Sequence, residues 1–186
     1  MNQILSDIRH LPSKSAVNSH EGKLLYDLAG RVPENGIIVE IGSCTGISTC
    51  YLAAGSKVTV KVHAVDLWTL GLGITALASS AIEKTFHANI EAMGFQDRVI
   101  PMKGFSEDMV KNWTQPIDLL HIDGDHSYEG VKKDFQLWSP FLKKGGTIVF
   151  HDADRYDTVG RLIREAVEPG AKKILQVQKV WSAILP

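Results

Sequence analysis

The sequence predicts a three-layer α/β domain built on a mostly parallel, seven-stranded sheet that ends in a C-terminal antiparallel hairpin. Three observations predict it. Short β-rich runs alternate with helical patterns five times, as parallel β-α units require. Two last β-rich pieces, Lys173 to Gln178 and Val180 to Leu185, are close enough to fold back on each other. Finally, Glu40, Asp66, Asp123 and the pair His151-Asp152 all stand at or just past the ends of predicted strands. Open α/β sheets bind their ligands at those ends, whereas carboxylates without a task would scatter over helix surfaces.

Residues 1 to 20 hold Pro12 and a scatter of Ser, Asn and His without periodicity, and read as a leader or a cover over a site. Glu21 to Arg31 reads as a short helix (Leu24, Leu25, Leu28) closed by Gly30 and the turn Pro33-Glu34-Asn35-Gly36. The run from Ile37 is continuously apolar, as suits a strand buried on both faces. It breaks at Gly42, turns through Ser43, Cys44 and Thr45, and resumes after Gly46 as a helix. Unpaired N–H groups and the positive end of a helix dipole converge there, an anchor for a polar or anionic group.

Gly55-Ser56 marks a turn, and Val58 to Val65 is the second strand, ending at Asp66. Leu67 to Ser80 is a glycine-spaced apolar stretch that reads as a long loop around Trp68, Leu70, Leu72 and Ile74. Ala81 to Met93 carries Ile82, Phe86, Ile90 and Met93 at helical spacing. Arg98 to Lys103 is the third strand and Ser106 to Trp113 a short helix. Ile117 to Ile122 is the fourth strand and runs into Asp123-Gly124-Asp125-His126. The next helix puts Tyr128, Val131, Phe135, Trp138 and Leu142 on one stripe. Gly145-Gly146 then turns into the fifth strand, Thr147 to Phe150, and a helix follows from Asp157 to Glu168.

At 186 residues and a formal net charge of −1, the chain suits one domain and shows no basic block for nucleic acid or a membrane surface. No apolar run reaches the roughly 18 residues of a membrane span, and the N-terminus is not signal-like, so a cytoplasmic protein is expected. Cys44 and Cys50 fit neither a redox pair nor a zinc knuckle and read as small buried side chains.

A dinucleotide fingerprint needs a middle glycine so that the backbone can approach a pyrophosphate, and Cys44 occupies that position. What remains is Glu40-x-Gly42-x-x-x-Gly46 with Asp66 at the end of the next strand. An acid there can accept from both ribose hydroxyls, at about 1.5–3 kcal/mol per charge-assisted bond. The pattern suits a nucleoside without a diphosphate, and S-adenosylmethionine has the ribose, the adenine and an amino-acid head.

In EIGSCTGIS, VDLW, GFSED, IDLLHIDGDHSYEGVKKDF and LKKGGTIVFHD, the chain from about Glu21 to Pro186 resembles class I S-adenosylmethionine-dependent methyltransferases. It is similar in particular to the small O-methyltransferases that include catechol O-methyltransferase-like enzymes. The resemblance implies a Rossmann-like methyltransferase fold. It places Glu40, Gly42, Ser43 and Gly46 along the methionine end, Ser48 on the carboxylate and Asp66 on the ribose. Leu67 and Trp68 would pack by the adenine, Phe105, Ser106 and Glu107 would contact it, and Asp123 would stand beside the methyl group and the acceptor. Metal-dependent relatives carry acids after strands four and five, where this chain has Asp123, His151 and Asp152, a donor set for a divalent cation such as Mg²⁺ or Mn²⁺.

A hydroxyl acceptor needs a base or a cation to be deprotonated. His126, just past the fourth strand, is the alternative to the cation, acting with Asp123 as a base near neutral pH; a bond to a local carbonyl would make it merely structural. Asp152 alternatively caps the following helix, Asp125 caps the helix from Ser127, and His121 reads as a satisfied core histidine. The reading is thus O-methylation of a small-molecule hydroxyl, a sugar or a secondary metabolite, with no nucleic-acid or membrane partner. The alternatives are a non-catalytic nucleotide-binding protein on the same fold and an NAD-dependent oxidoreductase. The Leu70/Leu72/Ile74 segment suits either a lid or a contact in a homo-oligomer.

Overall fold

The computed structural model describes residues 3–12, 17–68 and 76–186, except the side chains of 76–79. In chain order the elements are α1 (Gln3–Arg9), α2 (Ser19–Ala29), β1 (Ile37–Ile41), α3 (Ile47–Gly55), β2 (Lys61–Asp66), α4 (Ala76–Ala92) and β3 (Val99–Lys103). There follow α5 (Ser106–Met109), β4 (Ile117–Ile122), α6 (Tyr128–Trp138), β5 (Leu142–Phe150), α7 (Asp157–Leu162), β6 (Lys172–Val177) and β7 (Val180–Ile184). The seven strands lie in the order β3-β2-β1-β4-β5-β7-β6. Pairing is parallel from β3 through β5 and antiparallel where β7 joins β5 and β6.

Alternation along the buried strands sorts their side chains to two cores. Ile38, Val62, Leu119 and Val149 face α1 to α4 together with Leu25, Tyr51 and Phe86. Val39, Leu120, Ile148 and Phe150 face the other way, toward Val131, Trp138 and Leu162. The direction of strand order reverses between β1 and β4, whose ends are joined by the Asp123 N–H on the Ile41 carbonyl at 2.8 Å. A sheet of this kind opens its ligand crevice at that point.

Several expectations are corrected. α2 begins at Ser19, because Asn18 caps it: its side chain accepts from the His20 and Glu21 N–H groups while Glu21 reaches back to the Asn18 N–H. The aperiodic start holds α1, whose Ile8 is buried against α3. The second strand starts at Lys61 and leaves Val58 exposed in a turn. α4 starts at Ala76, so the last part of the predicted loop is helical; Leu70, Leu72 and Ile74 lie outside the described residues. β5 starts at Leu142, so that residue leaves the α6 stripe. Gly145 and Gly146 sit inside the strand at a shift of register, with Gly145 at φ +78°. The last predicted helix widens to a π-turn over Ile163–Val167 and tightens to a 3₁₀ turn at Glu168–Gly170. Cys50 is buried as expected, whereas Cys44 is exposed on the glycine turn at φ +46°.

Candidate active site at the strand ends

The glycine turn follows β1 because only glycine fits its first position. Gly42 has φ +89°, and a β-carbon there would stand 2.1 Å from the Asp123 carbonyl oxygen. Asp66 then ties the turn to β2. Its Oδ2 accepts the Cys44 N–H at 2.7 Å and its Oδ1 the Trp68 N–H at 2.5 Å. Burial raises the Asp66 carboxyl above the ordinary carboxylate range, and those two N–H groups only partly offset it. Trp68 donates its indole N–H to the Cys44 carbonyl at 2.9 Å and packs on Phe86, so it braces the turn from the core side. Asn89, unremarked in the sequence, does the same by donating to the Thr45 carbonyl at 2.8 Å.

Around this frame the other expected donor-side residues divide. Ser43 is buried and its Oγ has no hydrogen-bond partner. Gly46 starts α3 in the left-handed region, and Ser48 is buried in the first turn of that helix. Glu40 is wholly enclosed; one oxygen accepts from Thr49 and the other lies 3.2 Å from His121 Nδ1. Leu67 is half-buried. Beyond β3, Phe105 is exposed, Glu107 pairs with Lys133, and Ser106 donates to Asp134. Asp134 is a buried α6 carboxyl that the sequence reading missed, and burial pushes it up to about 6. Its only sequence signal is one acid among apolar stripe neighbours.

The third group gathers two carboxylates between two imidazoles. His126 Nε2 lies 3.5 Å from Asp123 Oδ1 and 3.1 Å from Asp152 Oδ2. On the other side, His151 Nδ1 lies 3.4 Å and 3.5 Å from the same two oxygens. Burial would raise the Asp123 carboxyl, but His126 and His151 outweigh it and lower the group to about 2. The Asp123 carboxylate raises His126 against its partial burial, and burial lowers His151 less than Asp123, Asp152 and Glu21 raise it.

Local structure aims these groups. Asp152 has φ +54°, and the cap of α7 falls to Tyr156 instead, so the Asp152 side chain turns inward to the histidines. His126 stacks on the Tyr156 ring at 4.5 Å, and its carbonyl accepts from Thr158 at 2.6 Å. Asp125 accepts from both the N–H and the hydroxyl of Ser127, which is itself the α6 cap, and so takes no part in the cluster. Behind His151 stands Glu21, fully buried and 3.7 Å from Nε2. The sequence reading used Glu21 only as a helix start; the Asn-x-x-Glu cap pattern was its available signal.

Neither ring nitrogen of His151 nor His126 Nε2 makes a hydrogen bond, and Asp152 Oδ1 has only the Lys179 ammonium, 3.8 Å away. Asp123, His126 and Asp152 each offer a ligand atom within 4.8 Å of the others. Adjacent ligands of an ion with bonds of about 2.0–2.2 Å stand near 3 Å apart, so the donors fit a small divalent cation.

A crevice at the switch in strand order, with a glycine turn and acids on its rim, is that of a Rossmann-like methyltransferase fold. Solved structures share it. The O-methyltransferase from Bacillus cereus in complex with SAH superposes with a TM-score of 0.70 at 19% identity, over 99% of this chain and 91% of that one. The O-methyltransferase TomG from Streptomyces achromogenes in complex with SAM gives 0.71 at 18%, over 100% and 90%.

A family model described as a methyltransferase domain matches residues 39–153. The chain belongs to that family. An uncharacterized protein of Sinorhizobium fredii (strain NBRC 101917 / NGR234) is 30% identical over 120 residues, 63% of this chain and 13% of its own length. An uncharacterized protein of Acanthamoeba polyphaga mimivirus is 29% identical over 138 residues, 72% of this chain and 59% of its own. The chain thus spans less than two thirds of either relative. Among the described residues, no helix is long and apolar enough to cross a membrane.

Proposed function

We propose that this protein is an S-adenosylmethionine-dependent O-methyltransferase acting on a small-molecule hydroxyl, a sugar or a secondary metabolite, with a divalent cation at Asp123, Asp152 and the flanking histidines. The observation that carries the reading is the paired carboxylates at the ends of β4 and β5, beside a glycine turn tied to Asp66. S-adenosylmethionine, when bound, supplies the electrophilic methyl group, and the cation, when bound, favours the deprotonated acceptor.

The chain's own part is alignment and proton handling. Each Asp66 oxygen spends one lone pair on the turn and keeps another for a ribose hydroxyl. Ser43 Oγ and the free N–H groups at the α3 start suit the amino-acid head, with Glu40, Gly42, Gly46 and Ser48 around it. Leu67, Phe105, Ser106 and Glu107 form the adenine side, with Trp68 supporting the turn behind them from the core. His126 is placed to take the acceptor proton where it is not itself a ligand. A cavity of about 350 Å³ bordered by Ile8, Val17, Ile47 and Tyr51 lies by the α3 start, within the size range of small-molecule sites. In this reading residues 1–20 serve as a leader or lid, 21–186 form the catalytic domain, and the near-neutral chain works in the cytoplasm without nucleic acid or membrane.

Calorimetry with S-adenosylhomocysteine tests the donor half, and absence of binding there removes the whole reading. Mn²⁺ titration followed by electron paramagnetic resonance tests the cation; Asp152→Asn is expected to lose Mn²⁺ binding and keep S-adenosylhomocysteine binding. A melting-temperature rise with NADH but not with S-adenosylhomocysteine would instead favour an oxidoreductase.

A further inference from the structure

We infer that Glu21 is a positioning residue for the cation site: its carboxylate accepts a hydrogen bond from the Nε2–H of His151, so that Nδ1 presents a lone pair between Asp123 and Asp152. The inference rests on the cation reading of the same site.

Glu21 is more enclosed than its place in a helix cap requires. A capping box needs only a Glu or Gln whose side chain reaches the cap N–H, and it works at the surface. Here the carboxylate is fully buried and held both from its own cap and from a distant part of the chain. Its Oε2 accepts the Asn18 N–H at 2.9 Å, and its Oε1 accepts the Lys179 N–H from the turn between β6 and β7 at 3.3 Å. Both are neutral donors. A buried carboxylate calls for a charged or strongly polarised partner, and the imidazole of His151 at 3.7 Å is placed to be one.

The ring geometry sets the direction of the effect. His151 presents Nε2 to one carboxylate and Nδ1 to two, and neither nitrogen makes a hydrogen bond. A neutral imidazole has one N–H and one lone pair, and the partner of one nitrogen decides the role of the other. A cation between Asp123 and Asp152 needs the lone pair on Nδ1, which leaves the proton on Nε2 facing Glu21. Metal-bound histidines commonly donate their second N–H to a carboxylate in this way. The 3.7 Å separation is outside hydrogen-bond range, and closing it takes a little over half an ångström.

The buried pair Glu40 and His121 offers an internal contrast. It is closer, at 3.2 Å, yet His121 makes no ion pair with Asp123 or Asp152. Of these two enclosed acid–imidazole pairs, the one containing Glu21 brings its ring within 3.4 and 3.5 Å of Asp123 and Asp152, whereas His121 acts on Asp123 from a longer range.

The test uses Glu21→Gln, whose amide oxygen can still accept from the Asn18 N–H while the negative charge is gone. The amide N–H₂ then faces the Lys179 N–H, so the melting temperature falls somewhat, while Mn²⁺ binding to the full chain, followed by electron paramagnetic resonance, is expected to weaken about 10- to 100-fold. Asn18→Ala is the opposite control: it removes the side-chain cap, lowers the melting temperature and leaves Mn²⁺ affinity as in the wild type. Equal Mn²⁺ affinity in Glu21→Gln and wild type overturns the inference. A wild type that binds S-adenosylhomocysteine but no Mn²⁺ overturns the cation reading, and the inference with it. Should Glu21→Gln fail to fold, nitrogen-15 NMR of the Mg²⁺-loaded wild type decides: Nε2 of His151 protonated is the expected result, and Nδ1 protonated overturns it.

Discussion

Gly42 and Asp123 meet backbone to backbone: a β-carbon on Gly42 would stand 2.1 Å from the Asp123 carbonyl oxygen. The donor turn after β1 and the acid after β4 are therefore one mechanical unit, packed with no room for a side chain between them.

Gly42→Ala forces that contact apart and also strains a backbone at φ +89°. The expected cost is about 3 kcal/mol, which for a chain of this size lowers the melting temperature by roughly 6–12 °C. S-adenosylhomocysteine binding is expected to go with it. A variant that melts within a degree of the wild type would show that the two strand ends can separate freely.

Asp66→Ala strips the Cys44 and Trp68 N–H groups of their acceptor and removes both oxygens proposed to hold the ribose. With charge-assisted bonds at about 1.5–3 kcal/mol each, S-adenosylhomocysteine should bind at least about 100-fold more weakly by calorimetry. A loss of threefold or less would mean that Asp66 serves the turn alone.

Asp134→Asn tests the buried carboxyl on α6. Burial raises Asp134 from 3.8 to about 6, so folding favours its protonated form. Its contribution is fully present below pH 4 and is lost as pH rises through about 6. At pH 7.5 the shift amounts to about 2–3 kcal/mol of instability, and the Asn amide keeps an acceptor for Ser106. The variant should therefore melt several degrees higher than the wild type at pH 7.5 and equal it near pH 4. Equal melting at both pH values would remove the charge from the account.

The strands were legible wherever burial on both faces makes a run continuously apolar. β1 from Ile37 and β4 over Ile117 to Ile122 start and end within a residue of their expected bounds. The expected β5 starts late because glycines inside a strand look like a turn when the neighbouring β4, against which β5 bulges over 143–146, is out of view. The expected start of α2 at Glu21 is two residues late because Asn18, Ser19 and His20 are polar and give apolar periodicity nothing to register. The habit of its residue type predicts a buried Cys44, whereas the left-handed turn pushes it outward.

By itself, the sequence determined the parallel sheet, the glycine turn and the row of acids at the strand ends, because hydrophobic period and turn chemistry are local properties of the chain. Only the tertiary structure decided which of those acids meet an imidazole. His126 and His151 close on Asp123 and Asp152 because β4 and β5 are adjacent and end level with each other. Glu21 reaches His151 because the first turn of α2 lies at those same strand ends, beside the turn between β6 and β7. Such approaches are set by how layers stack and in which direction each side chain leaves its backbone, and no spacing along the chain records either.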